Sequence, residues 1–170
     1  KTNSDVEELL KDVYRDNAEW LKFAEAKNAA LLTFNGVLLF GALNIIDKNV
    51  FSELNNALLV SVAFIFVNII ILLFSFIPRE NIKQNKTSNK LNNALYYKEI
   101  SRFNVDTYYE IICQRYGIEE SDNDYYKDLI SQIVAISWIA NKKYKYFCLC
   151  TYISVFSLLI ILIRFICIQL

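Results

Sequence analysis

The chain has 170 residues, 55% of them hydrophobic and 21% charged, with 18 basic residues balancing 18 acidic ones. It holds three Gly, one Pro and no His. An ordinary soluble domain is about 45–50% apolar, so this composition points away from that class. The scarcity of Gly and Pro argues against a sheet with many turns. Without His, triad hydrolysis and most zinc chemistry lose their usual base and ligand. Zero net charge leaves no global footprint for nucleic acid. Met is absent as well, and the numbered chain is expected to begin after its native start.

The apolar residues are segregated. In chain order, residues 1–28 form a charged segment, and residues 29–46 (AALLTFNGVLLFGALNII) then carry no charge. A ten-residue stretch, 47–56, leads to the uncharged run 57–77, and the 68 residues 78–145 lead to a third uncharged run from 146. That third run is broken only by Arg164. Uncharged apolar runs of about 18 residues or more are long enough to cross a bilayer core. The expected domains are therefore a cytoplasmic helix at 1–28, spans at 29–46, 57–77 and 146–168, an outer loop at 47–56, and a cytoplasmic helical domain at 78–145. A cleaved leader is not expected, because a charged segment precedes the first apolar run.

Lys and Arg set the orientation. Segment 1–28 holds five of them and segment 78–145 eleven, against Lys48 and Arg164 elsewhere. Both basic segments lie on one side of a three-span topology, which the positive-inside rule makes cytoplasmic. The N-terminus is expected inside and the C-terminus outside.

Local signals give helices throughout. Ser4-Asp5-Val6-Glu7 fits a capping box. Val6, Leu9, Leu10, Val13, Trp20, Leu21 and Phe23 follow at roughly helical spacing, with no breaker before Gly36. One helix is expected to run from the cytoplasm into span one. Pro78 should end span two, and Arg79–Asn93 reads as a polar connector. Short helices are expected over Leu95–Arg102 and Val105–Tyr116, with Gly117 as C-cap. Ser121-Asp122-Asn123-Asp124 opens a last helix with acidic residues at its positive dipole end, and no Gly or Pro interrupts it afterwards. The fold class is all-α.

Polar residues inside the spans carry the functional signal. Ser61, Asn68 and Ser75 are spaced by seven and share a helix face, as do Asn28 and Asn35. Thr151, Ser154 and Ser157 recur every third residue. Two readings stand. Such a face can line a pore in an oligomer, which makes Asn28, Asn35, Ser61, Asn68 and Ser75 the pore-lining candidates. It can equally be interhelical hydrogen-bond glue. Lys27 at the border of span one reads as an interfacial anchor or as a partner for a cytoplasmic acid. Arg164 reads as a snorkelling residue.

The cytoplasmic segments are rich in Tyr and in basic residues. Arg102, Tyr108, Tyr109, Arg115, Lys142 and Lys143 are candidates for binding a nucleotide through base stacking and phosphate pairing. The same composition also suits a wet-edged core and an interfacial belt. Cys148 and Cys150, one residue apart with no second pair, do not make a zinc pattern, so no metal is expected. All four Cys read as free thiols. No P-loop, dinucleotide motif or nucleophile elbow occurs, so neither a catalytic site nor a cofactor is expected.

Three stretches carry a resemblance. Trp20-Leu21-Lys22-Phe23-Ala24-Glu25-Ala26-Lys27-Asn28-Ala29 looks like a lead-in to a first span, and Pro78-Arg79 like the exit from a second. Asp128-Leu129-Ile130-Ser131-Gln132-Ile133 through Lys142-Lys143-Tyr144 looks like a helix reaching a last span through a basic pair. In this order of parts, with the short segment Tyr97 to Tyr109, the chain resembles the transmembrane effectors of nucleotide-signalled anti-phage defence, typified by the Pycsar membrane effectors.

The resemblance implies a multi-pass protein of a bacterial inner membrane that works beside a nucleotidyltransferase or cyclase. It implies a homo-oligomer, expected as a tetramer, gated by a nucleotide or oligonucleotide second messenger and acting on the lipid bilayer as an ion channel or membrane-disrupting pore. In the similar Hailong systems an oligonucleotide holds the effector shut, so the sign of control stays open. The rival expectation is a non-conducting scaffold that recruits a soluble partner.

Overall fold

In the computed structural model, described for residues 3–47, 55–77, 93–117 and 124–169, every regular element among those residues is a helix. The helices are α1 (Asn3–Asp47), α2 (Asn55–Phe76), α3 (Tyr97–Ile100), α4 (Val105–Tyr116) and α5 (Asp124–Gln169). With neither Gly nor Pro before Gly36, nothing stops the α1 ladder at the charge boundary, and the helix runs unbroken for 45 residues. The same reasoning holds for the 46 residues of α5, which opens on Asp124. α1, α2 and α5 are each long and apolar enough to cross a membrane.

The chain divides into two compact units, and α1 and α5 contribute to both. The first unit draws on Lys1–Ala24 and Pro78–Lys143. Its core joins Val6, Leu10 and Val13 of α1, Ile100 of α3, Tyr108 and Ile112 of α4, and Ile130, Ile133 and Val134 of α5. Asn104 caps α4 by accepting from the Thr107 N–H at 2.8 Å. Gly117 closes α4 in the left-handed region at φ 66°, as the sequence suggested. α3 is shorter than expected, a single turn ending before Arg102.

The stripe of α1 in this unit also differs from expectation. Trp20 and Phe23 are exposed, while Asn17 and Ala24 lie on the buried side. Counting from Val6, Leu10 and Val13, positions 17, 20 and 24 all continue the 3–4 spacing and 23 does not. Trp20 is on the stripe yet 42% exposed, its ring packing beside Tyr97 at 5.5 Å between ring centroids.

The second unit comprises Glu25–Ile77 and Tyr144–Leu170. Its three helices meet along one seam. Ala42 of α1, Leu58 of α2 and Ile161 of α5 pack together. One heptad back, Asn35 and Ser154 are hydrogen-bonded to each other, so α1 and α5 run in the same direction. α2 runs against them, since Asn68 meets Asn35 while Leu58 meets Ala42. Phe64 and Phe156 pack edge to face beside the seam at 5.5 Å. Pro78, the 79–92 stretch, the 121–123 helix start, most of the 47–56 loop and the side chains of Ser4, Arg164 and Cys167 lie outside the described residues.

Candidate functional site

α2 presents a heptad seam in which two series interleave. Leu58, Ile65 and Leu72 are fully buried, and Ser61, Asn68 and Ser75 sit between them, also buried. The steps alternate three and four residues, which keeps all six on one side of a helix. α1 brings Asn28 and Asn35 to the unit's interior and α5 brings Cys150, Ser154 and Ser157, all buried. The five residues expected to line a pore are thus brought into the interior of one chain. None is on its surface, and in this state the polar face meets the chain's own helices.

The centre of the seam is a knot of carboxamides and a hydroxyl. Asn68 Nδ2 donates towards Ser154 Oγ at 2.8 Å, the Cys150 carbonyl at 2.9 Å and Asn35 Oδ1 at 3.2 Å. Ser154 Oγ lies 3.0 Å from Asn35 Oδ1 and 2.9 Å from the Cys150 carbonyl. One heptad along α2, Ser61 Oγ donates to the Ser157 carbonyl at 3.2 Å. In hydrocarbon no water replaces a missing partner, so polar atoms at this depth must satisfy each other.

Lys27 packs against two aromatic rings of α5. Its ammonium lies 5.6 Å from the Tyr144 ring centroid and 5.4 Å from that of Phe147, within cation–π range of both. The contact joins α1 to α5 inside the second unit.

The six nucleotide candidates are not equivalent. Tyr108 is a core residue: it is fully buried and its hydroxyl donates to the Ala94 carbonyl at 2.8 Å. Burial, reinforced by the Tyr116 phenol, pushes its hydroxyl well above the ordinary 10.0, so it stays protonated. In this state both faces of the Tyr108 ring are packed within the core. Tyr109 is half-buried against the same core. Arg102 is exposed and paired with Glu99 at 3.1 Å, and Arg115 is exposed near the end of α4. Lys142 lies 5.5 Å over the Trp138 ring, and Lys143 is half-buried. One step along a helix turns a side chain by about 100°, so Tyr108 and Tyr109 lie on different faces, and only the packing shows which of the two faces is covered.

Two further polar residues escaped sequence reasoning. Asn17 of α1 and Ser137 of α5 are fully buried in the first unit, and neither side chain has a hydrogen-bond partner among the described residues. Asn17 follows Val13 by four residues and Ser137 follows Ile133 by four, so each extends a core stripe. That register was the available signal. On the outside of α1, Asp16, Glu19, Trp20 and Phe23 border a cleft of about 460 Å³. No group of three His, Cys, Asp or Glu able to hold a metal occurs among the described residues.

Comparison with known proteins places the chain in a family. Residues 9–168 match the Pycsar effector protein domain. The Pycsar effector protein RsPycTM of a Rhizobium species is 30% identical over 133 residues, covering 74% of this chain and 75% of that protein. No solved structure matches.

Proposed function

The chain belongs to the Pycsar effector family, a family of anti-phage membrane effectors, and on that premise we propose that it permeabilises the bacterial inner membrane when a nucleotide signal reaches its cytoplasmic side. The observation that carries this reading is the buried polar seam: three helices fit to span a bilayer turn Asn28, Asn35, Ser61, Asn68 and Ser75 into their own interior. Lipid-facing positions of α2 such as Val67, Leu73 and Phe74 are apolar.

In this reading the units divide the labour. The second unit crosses the membrane. The first, built around α3, α4 and the basic face of α5, reads the signal through Arg102, Tyr109, Arg115, Lys142 and Lys143. A cyclase or nucleotidyltransferase supplies the messenger, and several copies of the chain, expected as a tetramer, act together. No catalysis by the chain itself is required.

A second reading, a non-conducting scaffold, is favoured by one observation. The cleft beside Trp20 and Phe23, rimmed by Asp16 and Glu19, offers an aromatic and acidic face that a soluble protein can dock on.

Following membrane potential with a dye decides between them. The chain is expressed with its cognate cyclase, active or inactivated. Depolarisation that requires the active cyclase supports permeabilisation. A steady potential, with a soluble protein retained on the membrane, supports the scaffold.

A further inference from the structure

The knot in the seam has more contacts than protons. Asn68 Nδ2 carries two hydrogens and Ser154 Oγ one. These three protons face five contacts, to Asn35 Oδ1 twice, to the Cys150 carbonyl twice and from Asn68 to Ser154. The Asn35 amide nitrogen donates to the Leu31 carbonyl at 2.8 Å and makes no hydrogen bond within the knot. Meanwhile Asn68 Oδ1 is enclosed and accepts from no group among the described residues. The knot ties α1, α2 and α5 at one level, and its neighbours along α2 on the seam, Ile65 and Leu72, are apolar.

We propose that the Asn35–Asn68–Ser154 knot is the lock that holds the effector silent, and that its release wets the seam and opens the path. The inference rests on the permeabilising reading above and gives its control a place. Dry separation of the helices would strand several polar groups in hydrocarbon at once, so the shut seam persists. Hydration of the opened seam satisfies the same groups and also supplies the donor that Asn68 Oδ1 lacks. The knot is thus stable when dry, satisfied when wet and unfavourable between, the character of a two-state element.

The sign of a mutation separates a lock from a mere lining. If Asn68 only lined a path, an apolar replacement would reduce signal-dependent flow. As a lock, the same replacement raises flow without any signal.

The test uses the full chain in cells lacking the cyclase, with two readouts. Membrane potential is one. The other is labelling of the native Cys150 thiol, buried in the seam, by a membrane-permeant maleimide and mass spectrometry. Asn68→Leu is expected to depolarise cells without signal and to raise Cys150 labelling by about tenfold. Leu for Asn makes α2 more apolar, so insertion is favoured rather than lost, and membrane-fraction abundance normalises both readouts. The N35C/N68C pair is expected to leak when reduced and to fall silent when oxidised, because a covalent link between α1 and α2 replaces the knot.

Asn68→Leu that stays silent and labels like wild type overturns the lock, as does an N35C/N68C protein equally silent in both redox states. If wild type never depolarises cells even with active cyclase, the permeabilising reading falls. Cys150 labelling then still decides the knot: raised labelling in Asn68→Leu sustains it, and unchanged labelling overturns it.

Discussion

Tyr108 and Asn68 are both fully enclosed, and both carry polar atoms that burial would leave bare. Tyr108 has one good partner, the Ala94 carbonyl, whereas Asn68 shares two protons among three. Replacing Tyr108 by Phe leaves that carbonyl buried without its donor, and we expect the first unit to lose about 1–2 kcal/mol, read as a lower Tm in detergent. The pH dependence has a definite sign. The folded pKa of Tyr108 lies above its unfolded value of 10.0, so its contribution is complete below that pH and declines as pH rises past it. Wild type should therefore lose Tm more steeply than Tyr108→Phe on the alkaline side, and parallel curves would exclude the effect. Sequence reveals such residues only by kind. The seven-residue spacing of Asn28 and Asn35, and of Ser61, Asn68 and Ser75, identifies a shared face, but a pore lining and an interhelical knot have the same period.

At the scale of the element, α2 shows why its apolar partners stayed hidden. Ser61, Asn68 and Ser75 stand out against a run of Leu, Ile, Val and Phe, while Leu58, Ile65 and Leu72 are lost in it. Burial separates Ile65, fully enclosed, from Ile70, which is 38% exposed on the same helix. Because lipid is as apolar as a side chain, only packing and cavity terms distinguish the two sites. Ile65→Ala is expected to cost about 1–2 kcal/mol in reversible unfolding from a bilayer mimetic, and Ile70→Ala close to none. Equal losses would mean that the seam does not carry the packing. The C-terminal end of α4 was legible, since a Gly in the left-handed region acts through local geometry, whereas the Asn104 cap emerged only in the structure. Trp20 and Phe23 were not legible, because aromatic residues at near-helical spacing look like core until a neighbouring helix shows which side it covers.

At the scale of the molecule, three helices fit to cross a bilayer and the order of charge along the chain make a topology that can be tested directly. Fluorescent-protein fusions at the N-terminus and after Gly117 should glow, and a periplasmic phosphatase inserted at Lys48 should be active. An active phosphatase after Gly117 would invert the orientation derived from Lys and Arg.

The sequence by itself determined the all-α class, the three helices long and apolar enough to cross a membrane, the continuity of α1 and α5 and the family, because these depend on local propensity, on the length of uncharged runs and on the lack of breakers. Tertiary structure alone decided that the polar face is turned inwards, that Asn35, Asn68 and Ser154 form one knot, and that Tyr108 is packed in a core. The physical reason is common to all three. Periodicity defines a face of a helix, but what that face touches depends on helices distant in sequence, 33 residues away for Asn35 and Asn68 and 119 for Asn35 and Ser154.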